Sequence, residues 1–358
     1  MSFRERIQKI AYPDFETKRK RFRQLLNVGN VAVLEMTPDL QRIVCGLDSH
    51  SRRKVCIVSR GKLIGRTQRL AYIITDGCPD KTDVPGAGTA GRRIDLSFLN
   101  RVFVGQDQLD SVLKCASLVG LKPIILYQMG KVGSSSILMS LAKLRLGRPI
   151  WYVTTLSGAL IHPVLSSRFA SIEQAPLKLI TGTREPLGSN VSEFFEQLDY
   201  SMPDFKERIA SGRARLEDLG NVFFRTFPHE RPLVWFDDEF LPNTGIDVYQ
   251  QSWLQYISGR GIDVLVSRLE DLALESTSRV FNDFLGTEDF TVVRENIGSD
   301  KPYSGLYRQF INNVTFPERY VEWLYCSRYA NHFYRPHELV LYRQKWKIGP
   351  DRAWRGSK

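Results

Sequence analysis

Hydrophobic positions along the chain change texture near residue 105. Before it, short runs with β-branched residues fall at Val31–Met36, Arg42–Leu47, Lys54–Ser59 and Leu70–Thr75, separated by turn chemistry. They predict a small β-rich region over residues 29–100, behind a basic helical segment at residues 1–28. The Gly/Pro/Asp-rich stretch from Asp76 to Gly91 reads as a loop or linker. After residue 105, short buried-strand runs alternate with helical patterns, the mark of a parallel α/β sheet flanked by helices. The predicted strands are Ile124–Gln128, Ile150–Thr155, Leu177–Thr183, Leu233–Phe236 and Val264–Ser267. The predicted helices include Ser134–Leu146, Ser189–Leu198, Leu269–Leu285 and Pro317–Tyr329. Three regions follow: 1–100, an α/β domain over 105–335, and a basic tail over 336–358.

Length and composition narrow the classes. The 358 residues are 42% hydrophobic and 25% charged, ordinary for a globular chain with a full core. No run approaches the roughly 18 apolar residues of a spanning helix. Met1 to Arg6 lead into mixed polar sequence without an apolar core, so no secretory signal and a cytoplasmic address are expected. The five cysteines show no C-x-x-C, and no histidine pair stands at metal spacing. Reduced thiols and no metal site are expected.

The net charge of +11 favours anionic partners. It is uneven: residues 1–30 hold eight Lys/Arg against three Asp/Glu, with a knot at Lys18-Arg19-Lys20-Arg21, and residues 335–358 hold seven against two. Two solvated basic termini are the plain reading, and peripheral contact with an anionic membrane is the minor one. Nothing points to a specific nucleic acid.

Two segments carry candidate chemistry. The first runs from Pro123 through Tyr127-Gln128-Met129-Gly130-Lys131-Val132-Gly133-Ser134-Ser135-Ser136. A buried strand enters a glycine-punctuated turn, and a helix opens in the serines. Gly130 and Gly133 let the backbone approach an anion, and the first helical N–H groups point at it. Lys131 precedes Gly133, so the order is K-x-G-[ST]-[ST] rather than that of a Walker A loop. In the second segment, Arg184 closes the strand Leu177–Thr183 and Ser192 follows eight residues on, inside the next helix. Arginine offers a two-pronged donor to phosphate, and a hydroxyl two turns along can reach the same oxygens. Gly86-Ala87-Gly88-Thr89-Ala90-Gly91 spells G-x-G-x-x-G, but lacks the strand before it and the helix after it that a dinucleotide site needs.

Together these segments resemble the phosphosulfate loop and 3′-phosphate clamp of sulfotransferases that use 3′-phosphoadenosine 5′-phosphosulfate (PAPS). Downstream, Leu233 to Glu239, Gly245 to Tyr249, Leu265 to Leu272 and Asn296-Ile297-Gly298 look like a family of bacterial, sulfotransferase-like capsular polysaccharide synthesis proteins named for an N-K-W-Y-S string. Here that string is Asp300-Lys301-Pro302-Tyr303-Ser304, with Asn and Trp replaced. The resemblance covers roughly residues 122–330.

It implies a P-loop-like parallel sheet, PAPS as cofactor, and a carbohydrate or other small hydroxylated acceptor. It places Gly130, Lys131, Gly133, Ser134, Ser135 and Ser136 on the phosphosulfate, Arg184 and Ser192 on the 3′-phosphate, and Lys301 or Arg294 in a late basic loop. Lys131 takes a catalytic role at the leaving oxygen. Related enzymes put a general base on or just after the second strand; His162 comes nearest, with Asp237, Asp238 and Glu239 next, and the base stays open among them. Two other readings stand beside this one. One is a non-catalytic nucleotide- or glycan-binding protein on a sulfotransferase-like fold. The other is a P-loop phosphotransferase.

Overall fold

The structure, a computed structural model, describes residues 13–28, 31–34, 37–48, 51, 55–58, 72–75, 92–156, 165–198, 202, 204–213, 215–250, 256–295 and 303–350. The loop at Asp76 to Gly91, His162, Asn296 to Gly298 and Lys301 lie outside them. The chain divides into two units. One comprises Met1–Leu126, Met139–Val153 and Ser166–Lys178; the other comprises Tyr127–Leu138, Thr154–Leu165 and Leu179–Lys358.

The first unit opens with helices α1 (Phe15–Val28) and α2 (Pro38–Cys45). Strands β1 (Val31–Leu34), β2 (Val55–Val58), β3 (Tyr72–Thr75) and β4 (Arg92–Asp95) form a parallel sheet in the order β2-β1-β3-β4. The β-rich expectation for residues 29–100 holds, with one correction. Arg42–Leu47, expected as a strand, lies in and just beyond α2. Thr37 caps that helix by accepting from Leu40 N (3.3 Å), and Pro38 sits in its first turn. Leu40, Ile43, Val44 and Leu47 are all buried, at helical rather than alternating spacing. They share a core with Phe22, Leu25, Leu26, Leu96, Leu99 and Val119. The basic knot on α1 is partly internal. Lys18 is buried and pairs with Asp39 (2.9 Å), Arg21 donates to Val119 O (3.0 Å), and Arg19 pairs with Glu16.

Six strands form the second sheet: β5 (Val102–Val104), β6 (Ile124–Tyr127), β7 (Ile150–Val153), β8 (Leu177–Thr183), β9 (Tyr256–Gly259) and β10 (Ile262–Arg268). Their order is β5-β7-β6-β8-β10-β9. The sheet is mostly parallel, β9 closing it antiparallel to β10. Every residue of β6 is buried, as expected of a strand covered on both faces. Helices α3 (Leu109–Val119) and α4 (Ser134–Leu144) flank this part of the chain, which gives the expected α/β class.

The second unit adds α5 (Pro186–Glu196), α6 (Leu216–Thr226), α7 (Arg231–Trp235), α8 (Glu275–Leu285), α9 (Ser304–Asn313), α10 (Glu318–Tyr325), α11 (Arg328–Phe333) and α12 (Pro336–Gln344). Its core is aromatic. Phe194, Phe223, Phe310 and Phe316 are fully buried and meet largely edge to face.

Two expectations are corrected here. Leu233–Phe236 is helical, not a strand. It belongs to α7, which has a proline in its first turn, and to a π-helical turn over Phe236–Phe240. A four-residue apolar run fits either period, and Val234 is exposed while Trp235, Phe236 and Phe240 are buried. Residues 336–350 are not a loose tail. Glu338 on α12 takes two 2.9 Å bonds from the buried guanidinium of Arg268, and β12 (Ile348–Gly349) pairs with β11 (Phe316–Pro317). The helix predicted at Leu269–Leu285 starts as a 3₁₀ turn, Leu269–Asp271, before α8.

Candidate functional site

The site lies within the second unit, where β6 gives way to α4. Tyr127 ends the strand, and the chain then turns through three positive-φ residues: Gly130 (φ 92°), Lys131 (φ 59°) and Gly133 (φ 88°). Gly133 is required on two counts. Its φ is in the left-handed region, and a Cβ would lie 2.5 Å from Leu272 Cδ1 and 3.0 Å from Leu269 Cδ1. The loop also packs tightly on β8: a Cβ on Gly182 would meet Val132 Cγ2 at 3.1 Å and Gln128 Nε2 at 3.2 Å. Ile137 N donates to Gly133 O (3.1 Å), so α4 starts in the serines as the sequence predicts.

Two polar groups in this turn are buried without a hydrogen-bond partner among the described residues. They are Ser134 Oγ and the side-chain amide of Gln128. Burying such groups unpaired is costly, so an anion-sized polar ligand at the helix start would satisfy a standing demand. Ser136 is committed elsewhere: its hydroxyl accepts from Glu295 N (3.1 Å). Ser135 is half-buried at the first turn of α4.

Arg184 directly follows β8. Its Nη1 donates to Lys131 O (3.4 Å), so two segments 53 residues apart converge on one loop. Glu185 caps α5, its carboxylate accepting from Leu187 N (3.0 Å) and Gly188 N (2.7 Å), with Pro186 opening the helix. Ser192 lies in the second turn of α5, half-buried, and Glu196 is the last residue of that helix, one turn further. Glu196 forms an ion pair with Lys131 Nζ. The Lys131 charge also bears on Glu193, whose carboxyl is held above its ordinary range by burial despite ion pairing with Arg231. Of the predicted site residues, the structure therefore brings together Gly130, Lys131, Gly133, Ser134 and Arg184, with Ser192 on the helix that Arg184 precedes. Arg294 is exposed, and His162 and Lys301 fall outside the described residues.

Several residues of the site carried no sequence signal. A cavity of about 310 Å³ is lined by Arg184, Glu185, Glu270, Tyr307, Tyr342 and Trp346, among others. Two of these are acids, Glu185 buried and Glu270 half-buried. Burial pushes the Glu185 carboxyl up to about 7, against the pull of Tyr325 and Arg184, and burial also raises Glu270. Glu270 Oε1 accepts from Glu185 N (2.8 Å), and Tyr325 OH donates to Glu185 Oε2 (2.8 Å).

The acidic run differs from expectation in its setting, since it lies on the π-helical turn. Asp237 pairs with Arg328 (3.3 Å), and Asp238 is exposed. Glu239 is buried, its Oε1 accepting from Tyr127 OH (2.6 Å) and from Leu156 N. That carboxylate thus stands one residue from the start of the loop.

Among the described residues, no cluster of His, Cys, Asp and Glu has the arrangement to hold a metal ion, and no helix is long and apolar enough to cross a membrane. No family model, no curated protein and no solved structure matches the chain.

Proposed function

We propose that the protein is a PAPS-dependent sulfotransferase that acts on a hydroxyl or amine of a carbohydrate-type acceptor. One observation carries the reading: the guanidinium of Arg184 reaches the carbonyl of Lys131, so strand-end arginine and glycine turn form one anion-facing surface. The residues fit a nucleotide with two phosphate-type groups. Ser134 Oγ is buried and unsatisfied at the start of an eleven-residue helix, and Gly133 leaves no side chain in the way.

PAPS, when bound, supplies an activated sulfuryl group on its 5′-phosphate. The chain's own residues do the rest. The N–H groups of the first turn of α4 face the anion with the positive end of the helix dipole. Lys131, held in a left-handed turn, offers an ammonium to growing negative charge. Arg184 offers a planar pair of donors to a second dianion, which a lysine there would bind only as a point charge.

Turnover of labelled PAPS against a glycan panel tests the proposal. Transfer by the wild type and its loss in Lys131→Ala, with an unchanged melting profile, is the expected result. Full activity in that variant would remove the mechanism. A second reading, a non-catalytic nucleotide-binding protein of the same fold, is favoured by the Lys131–Glu196 ion pair, because the lysine already has a counter-ion. The absence of turnover with every acceptor, together with tight nucleotide binding, would select it.

A further inference from the structure

We infer that Tyr329 is a positioning residue for Arg184, and through it sets the affinity for the phosphate on the nucleotide's ribose. The inference rests on the reading of Arg184 as the 3′-phosphate clamp.

Arg184 lies in the two-residue link between β8, which ends at Thr183, and α5, which starts at Pro186. In such a link neither ladder nor helix bonds are assured, so the backbone groups need other partners. One hydroxyl supplies both for Arg184. Tyr329 OH accepts from Arg184 N (3.0 Å) and donates to Arg184 O (2.8 Å). Tyr329 is fully buried, and its ring is packed between Phe236 (6.4 Å, stacked) and Phe333 (5.2 Å, edge to face). The next backbone N–H, that of Glu185, goes to Glu270 (2.8 Å).

The link is therefore pinned at consecutive residues by side chains from α11 and from the turn after β10. A long guanidinium arm has its reach fixed only if its Cα is fixed, and small displacements of such a group weaken a two-pronged contact steeply. Tyr329 itself is buried beneath the backbone and meets the ligand through Arg184.

The test compares adenosine 3′,5′-bisphosphate with adenosine 5′-monophosphate by calorimetric titration. Wild type should bind the bisphosphate more tightly. Tyr329→Phe keeps the ring and removes both bonds; it should lower that preference about tenfold while leaving 5′-monophosphate affinity nearly unchanged. In an Arg184→Ala background the same change should lower the preference no further, since the two act in series. Should Tyr329→Phe fail to melt cooperatively, Phe333→Leu loosens the ring with the hydroxyl retained, and a smaller loss confined to the bisphosphate is expected. A preference kept intact, or equal losses for both ligands, would overturn the role of Tyr329 while leaving the sulfotransferase reading standing. A wild type that shows no preference for the bisphosphate would overturn that reading itself, and this inference with it.

Discussion

The Lys131 ammonium is ion-paired with the Glu196 carboxylate, which closes the same helix that carries Ser192. An incoming phosphate and Glu196 would compete for one cation. Glu196 is half-exposed, so the pair is worth little in isolation, about 1 kcal/mol at most. Glu196→Gln should therefore tighten adenosine 3′,5′-bisphosphate binding by up to about fivefold at low salt, less at high salt. In a Lys131→Met background it should do nothing. Weaker binding in Glu196→Gln would instead make the carboxylate an aid to the ligand.

Gly130 and Gly133 both have positive φ, but they differ in surroundings. A Cβ on Gly130 meets nothing within 4 Å, whereas one on Gly133 runs into Leu272 and Leu269. Gly130→Ala should cost about 1–2 kcal/mol, from backbone strain alone. Gly133→Ala adds a packing clash and should cost roughly 2–4 kcal/mol in all. Urea unfolding of the two variants decides the point. Equal losses would mean that the turn relaxes away from the leucines.

The Glu185 carboxyl gives stability a pH signature. Burial raises it to about 7 in the folded protein, above its ordinary value of 4.5. The folded state therefore binds more protons than the unfolded state between those values, and stability from this group falls as pH rises from 4.5 to 7. The change is on the order of 3 kcal/mol across the window. Glu185→Gln stays neutral throughout. Its stability relative to wild type should climb from pH 4.5 to 7 and level off above, as read by chemical denaturation. A flat difference would mean that the helix cap keeps the carboxylate ionised at the lower pH.

What could be read from the sequence follows the range of the forces involved. Strand β8 was legible residue for residue because a short run of leucine, isoleucine and threonine ends at the turn signal Arg184-Glu185-Pro186, and α4 because its serines precede a helical apolar stripe. Arg42–Leu47 and Leu233–Phe236 were misread because short apolar stretches fit either period. The prolines at 38 and 232, which open helices, were the stronger local signal. The Arg184–Lys131 convergence was expected through the resemblance of the two motifs to sulfotransferase loops. The Glu185–Glu270 contact and the Tyr329 hydroxyl on Arg184 were not legible, because each joins residues 85 and 145 apart in the chain. Nothing local marks such pairs. The Lys131–Glu196 ion pair, between residues 65 apart, belongs with them.

On the proposed reading, Arg184 binds a phosphate that few nucleotides carry. Calorimetric titration of adenosine 3′,5′-bisphosphate and adenosine 5′-phosphosulfate against wild type and Arg184→Ala tests it most directly. The variant should weaken the bisphosphate by about 2–4 kcal/mol, the usual cost of truncating one partner of a hydrogen-bonded charge pair. Ser192→Ala, which removes a neutral donor to the same charge, should cost about 1.5–3 kcal/mol. Adenosine 5′-phosphosulfate, which lacks the 3′-phosphate, should bind both variants almost as it binds wild type. Equal losses for the two ligands would make Arg184 a support of the loop rather than a clamp, and would contradict the assignment of PAPS as cofactor.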